Sequence, residues 1–268
     1  MKTNVVVPVY NQAEDLRLTI RGLFKNTPSD LYQLWIVDNG SAPETTSLIA
    51  EIQSNAPDTQ VIRSEKNLGF PAGNNLALRR IVSGHVCFLN SDTYCTPGWL
   101  EHLLAVLKID PTIGLVGPVT NGALLKYEQK VVSFSTPLSI QHIEDTARQL
   151  RLTALQENRP YVIVDHPLMF FCTLVRQEAF AQIGLFDEQF GLGCEEDNDY
   201  CIRAHLLGWA HAVAHTSFVF HQRQKTYPKC FENVNSSVRA YTANHAYLKK
   251  KHAGATATPG FQRFLDDM

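Results

Sequence analysis

Three short apolar runs constrain this chain more than any other feature. Residues 4–9 (NVVVPV), 33–37 (QLWIV) and 86–89 (VCFL) each stop abruptly at a polar cluster. The clusters are Tyr10-Asn11-Gln12, Asp38-Asn39-Gly40-Ser41 and Asn90-Ser91-Asp92-Thr93. Runs this short and this apolar read as strands buried on both faces of a parallel sheet. Between the first two, Leu16, Ile20, Leu23 and Phe24 recur at spacings of three and four, the signature of an amphipathic helix. Pro43 opens a second helix to about Asn55, and the 65–75 loop leads into a third that runs to about Val82. Strand and helix therefore alternate through residue 110, with Gln60–Arg63 as a third strand of the series. That alternation predicts an α/β fold with a mostly parallel central sheet flanked by helices. Ligands of such sheets collect at the carboxyl ends of the strands, where the three polar clusters fall.

The second half is less regular. A strand with a break is expected over Gly114–Val119, an irregular helical insertion over 137–158, and strands over Tyr161–Val164 and Cys172–Val175. Ile140, Ile143, Ala147, Leu150 and Leu155 form the insertion's partial apolar face. A helix from about Glu195 to Leu207 stops at Gly208, strand Ser217–Phe220 runs into His221, and a last helix covers about Glu232 to Lys251. The whole reads as one domain over 1–252, with a first half to about 110, a second half over 111–230 and a C-terminal helix over 231–252. A tail follows at 253–268.

A net charge of −2 argues against nucleic-acid binding. No apolar stretch approaches a membrane span, and the start of the chain does not read as a signal peptide. A cytoplasmic protein with reduced thiols is expected, since the cysteines at 87, 95, 172, 194, 201 and 230 form no CxxC pair.

Asn90 and Asp92 sit where oxygen ligands could meet a divalent cation and its substrate, although Asn, Ser and Asp also favour plain turns. Tyr10 and Asp38 are placed to stack on a base and accept from its N–H; the alternatives are a packed aromatic and a turn former. Neither GxxxxGK[ST] nor GxGxxG follows a strand, so bound phosphates need a cation or loop donors such as those of 65–75. On a helix Asp197 and Asp199 point to nearly opposite sides, so they do not share an ion, and Asp199 is spaced to pair with Arg203. Acids at 195–197 also suit a helix N-terminus for purely structural reasons, and that position favours their ionised forms. His221, at the end of an apolar strand, reads as either structural or ligating.

With these residues laid out, the chain resembles the family 2 glycosyltransferases, the inverting GT-A type. The matching segments are V-P-V-Y-N at 7–11, V-D-N-G-S at 37–41, N-L-G-F-P-A-G-N-N at 67–75, L-N-S-D-T at 89–93, F-D-E-Q-F at 186–190, and E-D-N-D-Y-C-I-R with G-W at 196–209. The resemblance implies a nucleotide-diphosphate sugar donor of the UDP, dTDP or GDP type, and makes the half to about 110 the nucleotide-binding part and 111–230 the catalytic and acceptor part. It assigns donor contacts to Pro8, Val9, Tyr10, Asn11, Asp38, Asn67, Gly69, Phe70, Gly73, Asn74, Asn90 and Ser91. Asp92 and His221 would hold Mn²⁺ or Mg²⁺, Asp197 would be the catalytic base, and Glu196 would face the acceptor. It further implies a hexosyl- or deoxyhexosyltransferase of surface polysaccharide or glycoconjugate synthesis. The acceptor would be a glycan, a lipid-linked group or a protein, with peripheral attachment to the inner membrane face if it is lipid linked. Two departures stand out: Asn90 replaces a frequent Asp, and Phe170 stands where relatives usually have Gly two residues before the Cys, which predicts a narrower or reshaped acceptor pocket. A sugar nucleotidyltransferase is the rival enzyme, but it would want a Gly- and Arg-rich loop after the first strand. A catalytically inactive binding module of the same fold is the rival of another class.

Overall fold

The computed structural model describes residues 1–121, 129–132, 134, 139–222, 234–255 and 259–267. Strands β1 (Thr3–Val9), β2 (Tyr32–Asn39), β3 (Gln60–Ser64) and β4 (Val86–Leu89) run parallel in the order β3-β2-β1-β4. Helices α1 (Ala13–Asn26), α2 (Pro43–Asn55) and α3 (Gly69–Leu78) connect them. The β1 residues Val5, Val6 and Val7 are all fully buried, as a strand covered on both faces requires. On α1, Leu16, Ile20 and Leu23 enter the core and each contributes about 1.5–3 kcal/mol by leaving water. Phe24, expected on the same face, is 40% exposed because it lies beyond the width of the buried stripe.

After β4 come the short strand β5 (Thr93–Cys95), helix α4 (Trp99–Ile109) and strand β6 (Ile113–Asn121). The break expected near Gly117-Pro118 does not occur: β6 runs unbroken for nine residues. Gly117 serves close packing there, since a Cβ would collide with the Gln129 side chain. Strand β7 (Lys130–Val132) pairs with β6, and helix α5 (Ile140–Gln156) follows. The 137–138 part of the expected insertion lies outside the described residues. Of its expected face, Ile143 and Ala147 are buried; Leu155 is 53% exposed and Ala154 takes the inward place.

Strands β8 (Tyr161–Val164) and β9 (Cys172–Val175) lead through α6 (Gln177–Ile183) to α7 (Glu196–Leu206). Strand β9 inserts antiparallel between β4 and β6. The strand expected at 217–220 is the end of β10 (Ala210–His221), twelve residues long. Its first part lies between β6 and β8; after an irregularity between Ala214 and Phe218, its end pairs antiparallel with β5. The local pattern around Ala210–Thr216 is too mixed to announce this, and partners far along the chain decide it.

Helix α8 (Val234–Lys251) and helix α9 (Pro259–Asp267) complete the described chain. The start of the expected last helix, 232–233, lies outside the described residues, as does Cys230. Within the segment expected as a tail, α9 docks through Phe261, which is 1% exposed and stacks on His205 at 4.0 Å. Leu248, Phe190, Ile202 and Phe261 form the small apolar cluster that seats both helices. Among the described residues no helix is long and apolar enough to cross a membrane. Cys87, Cys95, Cys172 and Cys201 are buried thiols, small core side chains.

Candidate active site

The carboxyl ends of β1 and β2 are tied to each other and, through the 67–75 loop, to the loop that leads to α7. At β1, Asn11 and Gln12 both adopt left-handed backbone (φ 58° and 63°), which ends the strand and turns the chain into α1. The Asn11 N–H donates to Ser41 Oγ (2.9 Å), and Asn11 Oδ1 accepts from the Ala42 N–H (2.8 Å), tying the first polar cluster to the second. Tyr10 is half-buried beside them, while Pro8 and Val9 form the strand wall behind.

Asp38 is 1% exposed and already engaged: Oδ1 accepts from Ser41 N–H at 2.8 Å, and Oδ2 from Arg63 at 3.0 Å and Thr46 at 3.2 Å. A base N–H would join these donors rather than meet a free carboxylate. Arg63 at the end of β3 went unnoticed in the sequence because charge on an edge strand is ordinary. Asn39 is a second residue missed there. Its Oδ1 accepts from Leu68 N–H (3.0 Å) and its Nδ2 donates to Gly69 O (2.9 Å), fixing the entry of the 67–75 loop. Gly73 is small so that Asn39 can lie against it.

The side chains of Asn67 and Asn74 serve the loop itself. Asn67 Oδ1 accepts from Gly69 N–H (2.9 Å), and Asn74 Nδ2 donates to Phe70 O (2.9 Å). Asn74 is fully buried, and its Oδ1 has no hydrogen-bond partner among the described residues. Gly69 (φ +83°) permits the closest approach in the site: a Cβ would overlap the Gly191 carbonyl. Phe70 N–H donates to Leu192 O (3.2 Å), so the 67–75 loop rests on the loop that leads to α7.

At β4, Asn90 N–H donates to Phe171 O (2.8 Å), and Thr93 Oγ1 donates to Asn90 O (2.9 Å). Ser91 and Asp92 are held in the resulting tight turn, both mostly buried. Helix α1 braces it, because Thr19 Oγ1 accepts from Thr93 N–H (3.0 Å) and donates to Thr93 O (2.9 Å). The β5–β10 ladder then sets His221 opposite Thr93 and brings His221 Nε2 to 3.1 Å from Asp92 Oδ1. Asn121 clamps the His221 backbone from both sides, and Phe171 stacks on its ring at 5.3 Å and 14°. Neither partner shows any sequence signal, since both lie far from His221 in the chain.

The other departure lies inside the fold. Phe170 is 4% exposed and packs against Phe88, Phe186 and Tyr200, so its ring belongs to the core rather than to an open pocket.

Helix α7 begins with the acidic group. Glu195 is left-handed (φ 73°) and buried, and its Oε2 accepts from Asn198 Nδ2 at 2.6 Å. Glu196 is buried with Oε2 unpartnered; burial first, then the charges of Asp197 and Glu195, push its carboxyl well above the usual range. Burial likewise raises Asp197, to about 6, with Glu195 adding to the effect and the N–H groups of Asn198 and Phe170 opposing it. At Glu196 and Asp197 desolvation and like charge thus outweigh the first-turn preference for the ionised form. Asp199 points the other way, to Arg203 at 2.8 Å, as its spacing predicted.

This arrangement is the GT-A fold, a mostly parallel central sheet flanked by helices. The model of the family described as Glycosyl transferase family 2 matches residues 4–184, and the chain belongs to that family. It is 22% identical over 235 residues to the chondroitin synthase of Escherichia coli, covering 82% of this chain and 34% of that protein. It is 29% identical over 206 residues to the pre-mycofactocin glycosyltransferase of Mycobacterium tuberculosis, covering 74% and 38%. The chain spans about a third of the length of the curated relatives it matches. Among solved structures, S. aureus TarS 1–349 in complex with UDP-GlcNAc superposes with a TM-score of 0.67 at 17% identity, covering 100% of this chain and 71% of that one. GalNAc-T7 with UDP, GalNAc and Mn²⁺ gives 0.67 at 15%, covering 100% and 54%.

Proposed function

We propose that this chain transfers a sugar from a nucleotide-diphosphate sugar to an acceptor hydroxyl with inversion at the anomeric carbon. The observation that carries the reading is the Asp92–His221 pair, 3.1 Å apart at the carboxyl end of the sheet although 129 residues separate them. The pair fits a divalent cation: one carboxylate oxygen and one imidazole nitrogen, partly open to solvent, are a suitable donor set for Mn²⁺ or Mg²⁺. Asp92 and His221 would hold it, and when bound it would neutralise charge on the departing diphosphate.

The chain's own residues do the rest. Tyr10 and Asn11 line the base side, with Asp38 oriented by Arg63; the Gly69–Gly73 turn flanks the nucleotide through its backbone. Asn90 and Ser91 border the diphosphate, and Glu196 lies toward the acceptor. Asp197, as carboxylate, takes the acceptor's hydroxyl proton while the acceptor oxygen attacks the anomeric carbon. The new C–O bond forms as the bond to the diphosphate oxygen breaks, and that electron pair leaves with the nucleoside diphosphate. No covalent sugar–enzyme bond is needed, so one carboxylate suffices.

UDP sugars are the donors we favour, with dTDP and GDP sugars as the alternatives. Neighbours solved with UDP-GlcNAc and with UDP support that choice, and the chondroitin synthase relative supports a role in polysaccharide or glycoconjugate synthesis. A thermal-shift screen of UDP, dTDP, GDP and CDP with and without Mn²⁺ tests the reading. A ligand at 100 times its Kd stabilises by about 2.7 kcal/mol, a shift of several degrees. No shift with any of the four, with or without Mn²⁺, would overturn it.

A further inference from the structure

The residues that hold the catalytic loop in place come from α8, outside the 4–184 match to the family. The loop needs holding. Gly191, Gly193, Cys194 and Glu195 all have positive φ, and the last two are non-glycine residues in a conformation that persists only when its surroundings enforce it. Asn244 supplies that enforcement. Its Nδ2 lies 2.8 Å from Phe190 O, 2.8 Å from Gly193 O and 3.1 Å from Cys194 O. One amide group thus gathers three carbonyls across the turn that ends at Asp197. One helical step further on, His245 Nδ1 lies 3.0 Å from Glu195 Oε1, and Tyr241 also bonds the Glu195 carboxylate. The same loop carries the Leu192 carbonyl that receives the Phe70 N–H from the donor side.

We propose that Asn244 is a positioning residue for the transfer reaction, fixing the 190–195 loop so that Asp197 faces the anomeric centre. The proposal rests on Asp197 being the base. Two features separate positioning from simple docking of α8. The helix has other attachments, such as Tyr247 Oη donating to Asp187 Oδ2 (2.8 Å), that touch neither Asp197 nor the donor-side loop. Asn244 reaches the catalytic turn directly, and its two amide hydrogens match carbonyls that a carboxylate would repel.

The experiment compares Asn244→Ala, Asn244→Asp, Asn244→Gln, Tyr247→Phe and Asp197→Asn in the full chain. The assay reads nucleoside diphosphate released, with water as acceptor, from UDP-N-acetylglucosamine, or from the dTDP or GDP sugar if the screen selects that base. Asn244→Ala is expected to lose tenfold or more in kcat with KM for the donor within threefold. Asn244→Asp keeps the shape but loses at least as much, and Asn244→Gln recovers part. Tyr247→Phe lowers the unfolding midpoint without changing kcat. Hydrogen exchange on the same variants should quicken at amides 191–198 in Asn244→Ala and stay unchanged in β1; this readout on Asn244→Gln serves if the alanine variant does not fold. A kcat within twofold of wild type for Asn244→Ala, beside an inactive Asp197→Asn, overturns this proposal alone. Normal turnover in Asp197→Asn overturns the base assignment, and this proposal with it.

Discussion

Asp197 and Asp199 stand two residues apart on α7, and their surroundings drive their carboxyls in opposite directions, to about 6 and about 2. Both are desolvated, which raises each. Asp197 has Glu195 as a like charge and only backbone donors in compensation. Asp199 is fully buried yet surrounded by His252 (2.8 Å), Arg203 (2.8 Å) and Lys251 (2.7 Å), which outweigh its burial. One helix thus carries a structural anion and, half a turn away, a group that titrates near neutrality.

For Asp197 this separates activity from stability. A base must be ionised, so kcat should rise with pH through an acid limb near 6. Its folded-state pKa lies above the ordinary 3.8, so its contribution to stability is full below about pH 4 and is lost as pH rises through 6. Asp197→Asn should therefore bind donor, lose roughly 10²–10⁴-fold in transfer, and gain about 1–3 kcal/mol of stability at pH 8. Rate assays and melts at pH 8 check both, and the product of the wild-type enzyme should show inverted configuration. Near-normal transfer or a retained configuration would remove the assignment.

Asp199 predicts the opposite pH dependence. Its pKa is depressed, so its stabilisation is present above about pH 4 and lost as pH falls through 2. Asp199→Asn should cost about 2–4 kcal/mol at pH 7, because it leaves the partly buried Arg203 and Lys251 without their shared anion. The deficit should shrink steadily in melts taken toward pH 2. A deficit independent of pH would point to packing instead.

At the metal side, Asp92→Ala should weaken UDP binding and abolish its enhancement by Mn²⁺. His221→Ala should reduce that enhancement too, while Phe171→Leu should change it less, because Phe171 touches the imidazole only by its face. Titration calorimetry of UDP with and without Mn²⁺ reads all three. Unchanged Mn²⁺ dependence in Asp92→Ala would take Asp92 out of the site.

The contact between the 67–75 loop and the 190–195 loop is tested by two glycines of similar backbone. Gly69 (φ +83°) abuts Gly191 and Leu192, whereas Gly184 (φ +76°) has nothing within 4 Å of a prospective Cβ. Gly184→Ala should cost only the conformational strain, about 1–2 kcal/mol. Gly69→Ala should cost more and also weaken nucleotide binding tenfold or more, since it pushes the two loops apart. Equal effects on binding from both variants would argue against the contact.

Much of this molecule was legible from local pattern. Strand–helix alternation through residue 110, polar clusters at strand ends and the Asp199–Arg203 spacing each depend on neighbours within a few residues, where periodicity and chain geometry act. The family motifs also marked Asp92, Asp197 and His221 as the candidate metal and base residues. Other features have no local cause. The long course of β10 depends on β6, β8 and β5, and the meeting of His221 with Asp92 depends on that ladder. The role of Asn39 and Arg63, the core placement of Phe170 and the docking of α8 on the catalytic loop follow the same rule. Most decisive is the division between Asp197 and Asp199. Their sequence positions favour the ionised form in both, but burial and the charges brought by α8 and its flanking residues act over space rather than along the chain. Tertiary structure therefore decided which of the two titrates near neutrality.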